Sequence, residues 1–196
     1  MTRCATLAVF ALALVSACGG VAGRAGEQEI SLLLLSLKEA EQKREVGAVE
    51  GYLYLVEPVV PTPLRDWPVT LIPLPPTIED AVTRAKTQFA AHDRMPLSAK
   101  ALTVAHQPID AYMRSLQAGG HDKLIKRVKT ETGVDPKFTF QDVPQGRWLL
   151  LAELPSPISV LLWAVPVTVT SGGVTWQSLN DKNIWLEGLR PSRPDR

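Results

Sequence analysis

Apolar positions along this chain change their period twice. From Leu7 to Val15 they are nearly continuous; Ile30, Leu33, Leu34 and Leu37 then recur at helical spacing, with charges gathering from Lys38 onward. That second spacing predicts an amphipathic helix over 29–45. Gly47 ends it. From there the period becomes extended. VEGYLYLVE and WPVTLIPLP read as two strands joined by the Pro-rich loop PVVPTPLRD, since proline is excluded from the middle of paired strands.

The final third is the most regular. KFTFQDVPQGRWLLLAELP reads as a short strand, a turn at Val143-Pro144-Gln145-Gly146, and a strand apolar on both faces. LLWAVPVTVTSGG alternates, with Leu161, Trp163, Val165, Val167 and Val169 on one face and Thr168 and Thr170 on the other. GVTWQSLNDKNIWLEG adds two short strands around Asn180-Asp181. Many short strands separated by turn signals predict an antiparallel β-sandwich over 46–189.

Between the early and late strands, Thr77 to Thr132 reads as helices, an insert within the sandwich. Thr77 and Asp80 have the spacing of a capping box after Pro75-Pro76, and Val82, Ala85 and Phe89 form one face. Pro108 can open another helix, with Ile109, Tyr112, Met113 and Leu116 toward the core and Gly119-Gly120 closing it. Lys123 to Glu131 reads either as a last helix capped by Asp122 or as the next strand. The insert is expected to be a contact surface separable from the sandwich, because lengthening a surface connection costs only about 0.6 kcal/mol per doubling.

The beginning of the chain reads as an address. Arg3, an apolar run and small residues ahead of a cysteine have the layout of a secretory leader, 1–17, and the run is far short of the roughly 20 residues of a spanning helix. Its end, Val15-Ser16-Ala17-Cys18, resembles the lipobox of bacterial lipoproteins, and the resemblance implies acylation at Cys18. Several acyl chains, at about 0.8 kcal/mol per buried methylene, would anchor a domain durably. The other reading is an ordinary leader cut near Ala17. Gly19, where lipoproteins of the inner membrane commonly carry Asp, implies outer-membrane sorting in a two-membrane bacterium. GGVAGRAGEQ then predicts a flexible tether over 18–28, and 190–196 a disordered tail.

The late motifs bring a second resemblance. GYLYLVEPVVPTPLRDWPVTLIP, KFTFQDVPQGRWLLLAE and VPVTVTSGGVTWQSL together resemble the carboxypeptidase regulatory-like, or prealbumin-like, β-sandwich domain. The resemblance implies an antiparallel prealbumin-like sandwich; with the helical insertion and the short N-terminal helix read from the residues, the expected fold is mainly β, α+β overall. In this chain the link from Thr77 to Thr132 is much longer than the family's.

Composition narrows the function further. Lys and Arg number 21 against 20 Asp and Glu, and Arg3 is the only charge in the leader, so 20 basic residues balance 20 acidic ones after it. Such a chain has no bulk field for nucleic acid. The 2 cysteines, Cys4 and Cys18, lie in the leader or at its cut. The 3 histidines, His92, His106 and His121, are widely spaced, so neither a metal nor another cofactor is expected. No nucleophile elbow, S-x-x-K or phosphate loop occurs, and no catalytic residue is expected.

Two groups of residues are candidates for contact. Trp176 and Trp185 lie on strands with polar neighbours, where an exposed indole could stack on a glycan and a buried one would be core. Lys123, Lys126, Arg127 and Lys129 flank Leu124, Ile125 and Val128, as a solvated face or a contact for an anionic envelope polymer or lipid headgroup. The leading expectation is a non-enzymatic envelope lipoprotein whose insert meets a protein partner. The alternative is a carbohydrate-binding module at the cell envelope.

Overall fold

In the computed structural model the described residues are 15–56, 61–90, 96–133, 136–156 and 159–189. They include three helices and ten strands, of which eight strands and two helices form three layers. The centre is a five-stranded antiparallel sheet, ordered β10 (Leu186–Leu189), β8 (Ser159–Val169), β7 (Gly146–Pro155), β4 (Pro68–Pro73) and β5 (Lys126–Lys129). A three-stranded sheet of β6 (Lys137–Pro144), β1 (Val46–Tyr52) and β9 (Val174–Trp176) covers one face. Helices α2 (Pro76–Ala90) and α3 (Ala99–Ala118) cover the other. The architecture is α+β, with two sheets stacked as in a sandwich.

Two apolar faces on one strand are the cause of the three layers. On β7, Trp148, Leu150 and Ala152 enter the core between the sheets, while Leu149 and Leu151 enter the core beneath the helices. On β8, Trp163, Val167 and Val169 take the first side and Val160, Leu162 and Ala164 the second. Alternation along a strand sends neighbours to opposite faces, so a strand apolar at every position needs a cover on each. Where the helical cover ends, β8 turns amphipathic: Pro166 and Thr168 are exposed.

The insert is therefore part of the core, contrary to its expected separability. Ile78, Val82, Ala85, Leu102, Ala105, Ile109, Tyr112 and Leu116 are all buried against Ile72, Leu149, Leu151 and Leu162 of the sheet. Polar ties add to this. Glu79 and Arg147 pair side by side, Leu97 N–H donates to Glu187 O at 2.9 Å, and Leu189 N–H donates to Leu97 O at 2.6 Å. α3 lies so close to β10 that a Cβ on Gly188 would stand 2.7 Å from Leu102.

Several local expectations change. The insert ends earlier than Thr132: a 3-10 turn, Asp122–Leu124, leads into β5, which pairs with β4 along Pro68↔Lys129 to Leu71↔Lys126. The piece from Lys126 is thus a strand. Thr77 does not cap α2, because the helix starts at Pro76 and the Thr77 hydroxyl is buried without a partner; Pro75 O accepts from Ile78 and Glu79 instead. α3 begins nine residues before Pro108, capped by Ser98 Oγ accepting from Ala101 N–H at 3.2 Å. Pro108 is inside it, and the carbonyl left free, that of Val104, lies on an exposed residue where water can serve it. The Pro-rich loop holds a short strand, β3 (Pro61–Pro63), paired with β2 (Tyr54–Val56).

One sheet pairing is parallel, β1 with β9, where an all-antiparallel sandwich was expected. The turn at Val143-Pro144-Gln145-Gly146 joins strands of different sheets, so it is a corner between layers and not a hairpin. α1 spans Val15–Gln42, starting earlier than 29 and including the segment expected to be a flexible tether. It closes both cores: Leu33 and Leu37 pack on the core between the sheets, Ile30 and Leu34 on the core beneath the helices. No helix among the described residues is long and apolar enough to cross a membrane. The greater part of the leader, 1–14, and the tail, 190–196, lie outside the described residues.

Candidate functional site

The outer face of the three-stranded sheet gathers the most chemistry in one place. Register builds it. Glu50 on β1 stands between Thr139 of β6 and Trp176 of β9, and Tyr52 stands opposite Lys137. The pleat turns Val49, Phe138 and Phe140 inward, so Glu50, Tyr52, Lys137 and Thr139 face outward. Gly51 makes the approach of β9 possible: a Cβ there would fall 1.9 Å from Gln177 O. Gln177 N–H then donates to Glu50 O at 2.8 Å, which holds Trp176 beside β1.

Trp176 is 52% exposed, large for an indole in a sheet. Tyr52 meets it edge to face, with ring centroids 5.3 Å apart and an interplanar angle of 71°. Lys137 Nζ sits 5.4 Å from the indole centroid and 2.5 Å from Glu50 Oε2. Hydrogen bonding to Glu50 holds the Lys137 ammonium above the ordinary lysine range, reinforced by the nearby charges. Val174, 62% exposed, extends the apolar surface along β9. The result is an indole flanked by a phenol and by a paired cation and carboxylate, with the Thr139 hydroxyl on the far side of Glu50. Such a surface can stack an apolar ring face and hydrogen-bond its polar edge.

Trp185 does something else. It is buried in the core beneath the helices, and its Nε1–H donates to Val82 O at 3.0 Å. Stacking on a glycan is closed to it. His106 packs 6.2 Å from the Trp185 ring and pairs through Nδ1 with Asp110 Oδ2 at 3.0 Å. His121 precedes the 3-10 turn beyond α3 without a side-chain capping bond, and His92 lies outside the described residues. No group of three or more His, Cys, Asp or Glu side chains suited to a metal occurs among the described residues.

The four cations expected as one patch are divided by the strand. In β5, Arg127 and Lys129 point to one side and Lys126 to the other. Lys129 pairs with Asp66 at 3.0 Å, and Lys126 donates to Asp142 O at 3.1 Å. Lys123 stands apart, on the turn before β5. Charges along this outermost strand also discourage pairing with another chain. Cys18 falls in the first turns of α1, and its side chain lies outside what is described.

Sequence reasoning found Trp176 but not its neighbours. Glu50, Tyr52, Lys137 and Thr139 look like ordinary wet positions of alternating strands. Only the register of three strands brings them together.

No protein-family model matches this chain, and no curated protein aligns with it significantly. Among solved structures, a candidate carbohydrate-binding protein of Pseudomonas aeruginosa is similar at 16% identity and TM-score 0.41, over 69% of this chain and 88% of that one. A minor pilin of Streptococcus agalactiae is similar at 10% identity and TM-score 0.38, over 78% of this chain and 49% of the pilin. The chain thus spans about half the pilin's length. Neither likeness is close enough to carry a function across.

Proposed function

We propose that this chain is a non-enzymatic binding module of the cell envelope, anchored by lipid at Cys18, whose outer small-sheet face holds a saccharide. The observation that carries the reading is Trp176: an indole half in water, propped by Tyr52 and flanked by Glu50 and Lys137. In the other reading, in which the insert serves a protein partner, the contact would fall on the outer faces of α2 and α3, since their inner faces pack on the sheet.

Titration calorimetry and tryptophan quenching against peptidoglycan fragments and neutral polysaccharides test the site. Trp176→Ala should weaken binding at least about 30-fold, the effect of losing a central aromatic anchor. Saccharide binding that Trp176→Ala leaves unchanged, or that is absent from the parent for every glycan, overturns the assignment. For the anchor, Cys18→Ser should abolish fatty-acid labelling. Labelling that persists removes Cys18 from the reading.

A further inference from the structure

A second concave surface lies away from the platform. It is a cleft of about 670 Å³ between α1 and the turn that follows α3, within the roughly 300–1,000 Å³ of small-molecule sites. Each wall repeats the same pair of chemistries. On α1, Leu34 and Leu35 precede Lys38 by four and three residues, which puts them on neighbouring positions of one helical side. On the facing wall Leu124 adjoins Lys123. Apolar surface and positive charge thus lie next to each other on both sides.

We propose that this cleft binds one anionic membrane lipid, its acyl chain against Leu34, Leu35 and Leu124 and its phosphate between Lys38 and Lys123. Three observations favour that occupant. Neither lysine has an ion-pair or hydrogen-bond partner among the described residues, in contrast to Lys126 and Lys129. Glu41 is the one carboxylate on the lining, so two cations outweigh it. Leu35 is 63% exposed and Leu32, one turn earlier, 60%. Two large leucines in water beside an amphiphilic cleft suit a helix that meets acyl chains.

The carbonyl end of α3 would ordinarily repel an anion. Here it is closed. Gly119, Gly120 and His121 donate their N–H groups to Ser115, Gln117 and Leu116 carbonyls at 2.8–3.0 Å.

The test uses the full chain carrying Cys18→Ser, so that no covalent acyl group competes. Monomeric short-chain phosphatidylglycerol, phosphatidylcholine of the same chain length and inorganic phosphate are titrated in parallel, with binding read by calorimetry. Saturable one-to-one binding of phosphatidylglycerol is expected, at least about tenfold tighter than the choline lipid, with none of phosphate alone. Lys38→Gln with Lys123→Gln should weaken it about 30-fold at unchanged melting temperature, and Leu35→Asp should remove both lipids. Equal affinity for the two headgroups, phosphate binding as tight as the lipid, or indifference to the double substitution overturns the proposal. A photoreactive side chain at position 35 in native membranes adds a separate arm. A lipid adduct supports the assignment, and a protein adduct gives the cleft to a protein partner instead.

Discussion

The two covers of the five-stranded sheet do the same structural work with different consequences. α2 and α3 bury Ile78, Val82, Leu102, Ile109 and Leu116 on one side; β1 and β6 bury Val49, Phe138 and Phe140 on the other. A helix offers its outer surface from a single segment. A sheet offers an outer face on which residues far apart in sequence become neighbours: Tyr52, Lys137 and Trp176 meet through register alone. Trp176 and Trp185 show the difference within nine residues. One stands in water on the strand cover, the other is bonded to Val82 O under the helical cover.

The largest test of this contrast is to remove the helical cover. Replacing 76–124 by a short Gly-Ser loop should leave no folded domain by circular dichroism, and insoluble protein. Nine buried side chains among the described residues would be lost and the sheet face uncovered; at about 1.5–3 kcal/mol for each large one, this exceeds the usual 5–15 kcal/mol of net stability. A cooperative, β-rich fold that persists would restore the insert as a separable surface.

Next come the two tryptophans. Trp185→Ala should cost about 3–5 kcal/mol in denaturant unfolding, since it leaves a cavity and loses the hydrogen bond to the Val82 carbonyl. Trp176→Ala should change stability by less than about 1 kcal/mol while removing saccharide binding. Similar losses from both would erase the distinction between cover and platform.

Tyr112 gives a smaller effect of opposite sign. Its hydroxyl is buried among α3's core contacts without a hydrogen-bond partner, so Tyr112→Phe should raise stability by about 1 kcal/mol, measured by thermal or urea unfolding. A loss of 1 kcal/mol or more would mean that the hydroxyl is satisfied.

The smallest effect is alkaline. Burial pushes the Tyr112 phenol upward, and Glu50 holds Lys137 upward on the platform. In both cases the unfolded chain releases a proton near pH 10 that the folded chain still holds, so stability is level below that pH and falls above it. Tyr112→Phe should flatten part of the fall on the helical side, and Lys137→Met a lesser part on the platform. Urea unfolding between pH 9 and 11.5 separates them.

Much of the fold was legible. The alternation of β8 and the helical spacing of Ile109, Tyr112 and Leu116 correspond directly to buried faces. The doubly apolar run Trp148 to Leu151 carries the information that β7 is covered twice, whereas a sandwich core accounts for one cover only. The second cover is the insert itself, whose apolar faces need a partner that periodicity does not name. Pro108 misled for a local reason: proline is favoured in a first turn, but an exposed helix face with water at the freed carbonyl also tolerates it. Trp185 was equally illegible, because a tryptophan among polar neighbours on a short strand is buried or exposed according to what packs above it.

By itself the sequence determined most of the long strands and helices, one apolar face of each, and the leader-like character of its beginning. Those properties are local, set by periods of two and 3.6 residues and by turn chemistry. Tertiary structure alone decided which face meets which, that β9 runs parallel to β1, that Lys123 leaves the cation group for the cleft, and that Tyr52, Lys137 and Trp176 form one surface. These are pairings between residues as many as 126 positions apart, as between Glu50 and Trp176. Packing and register choose them, and neither is written in any single segment.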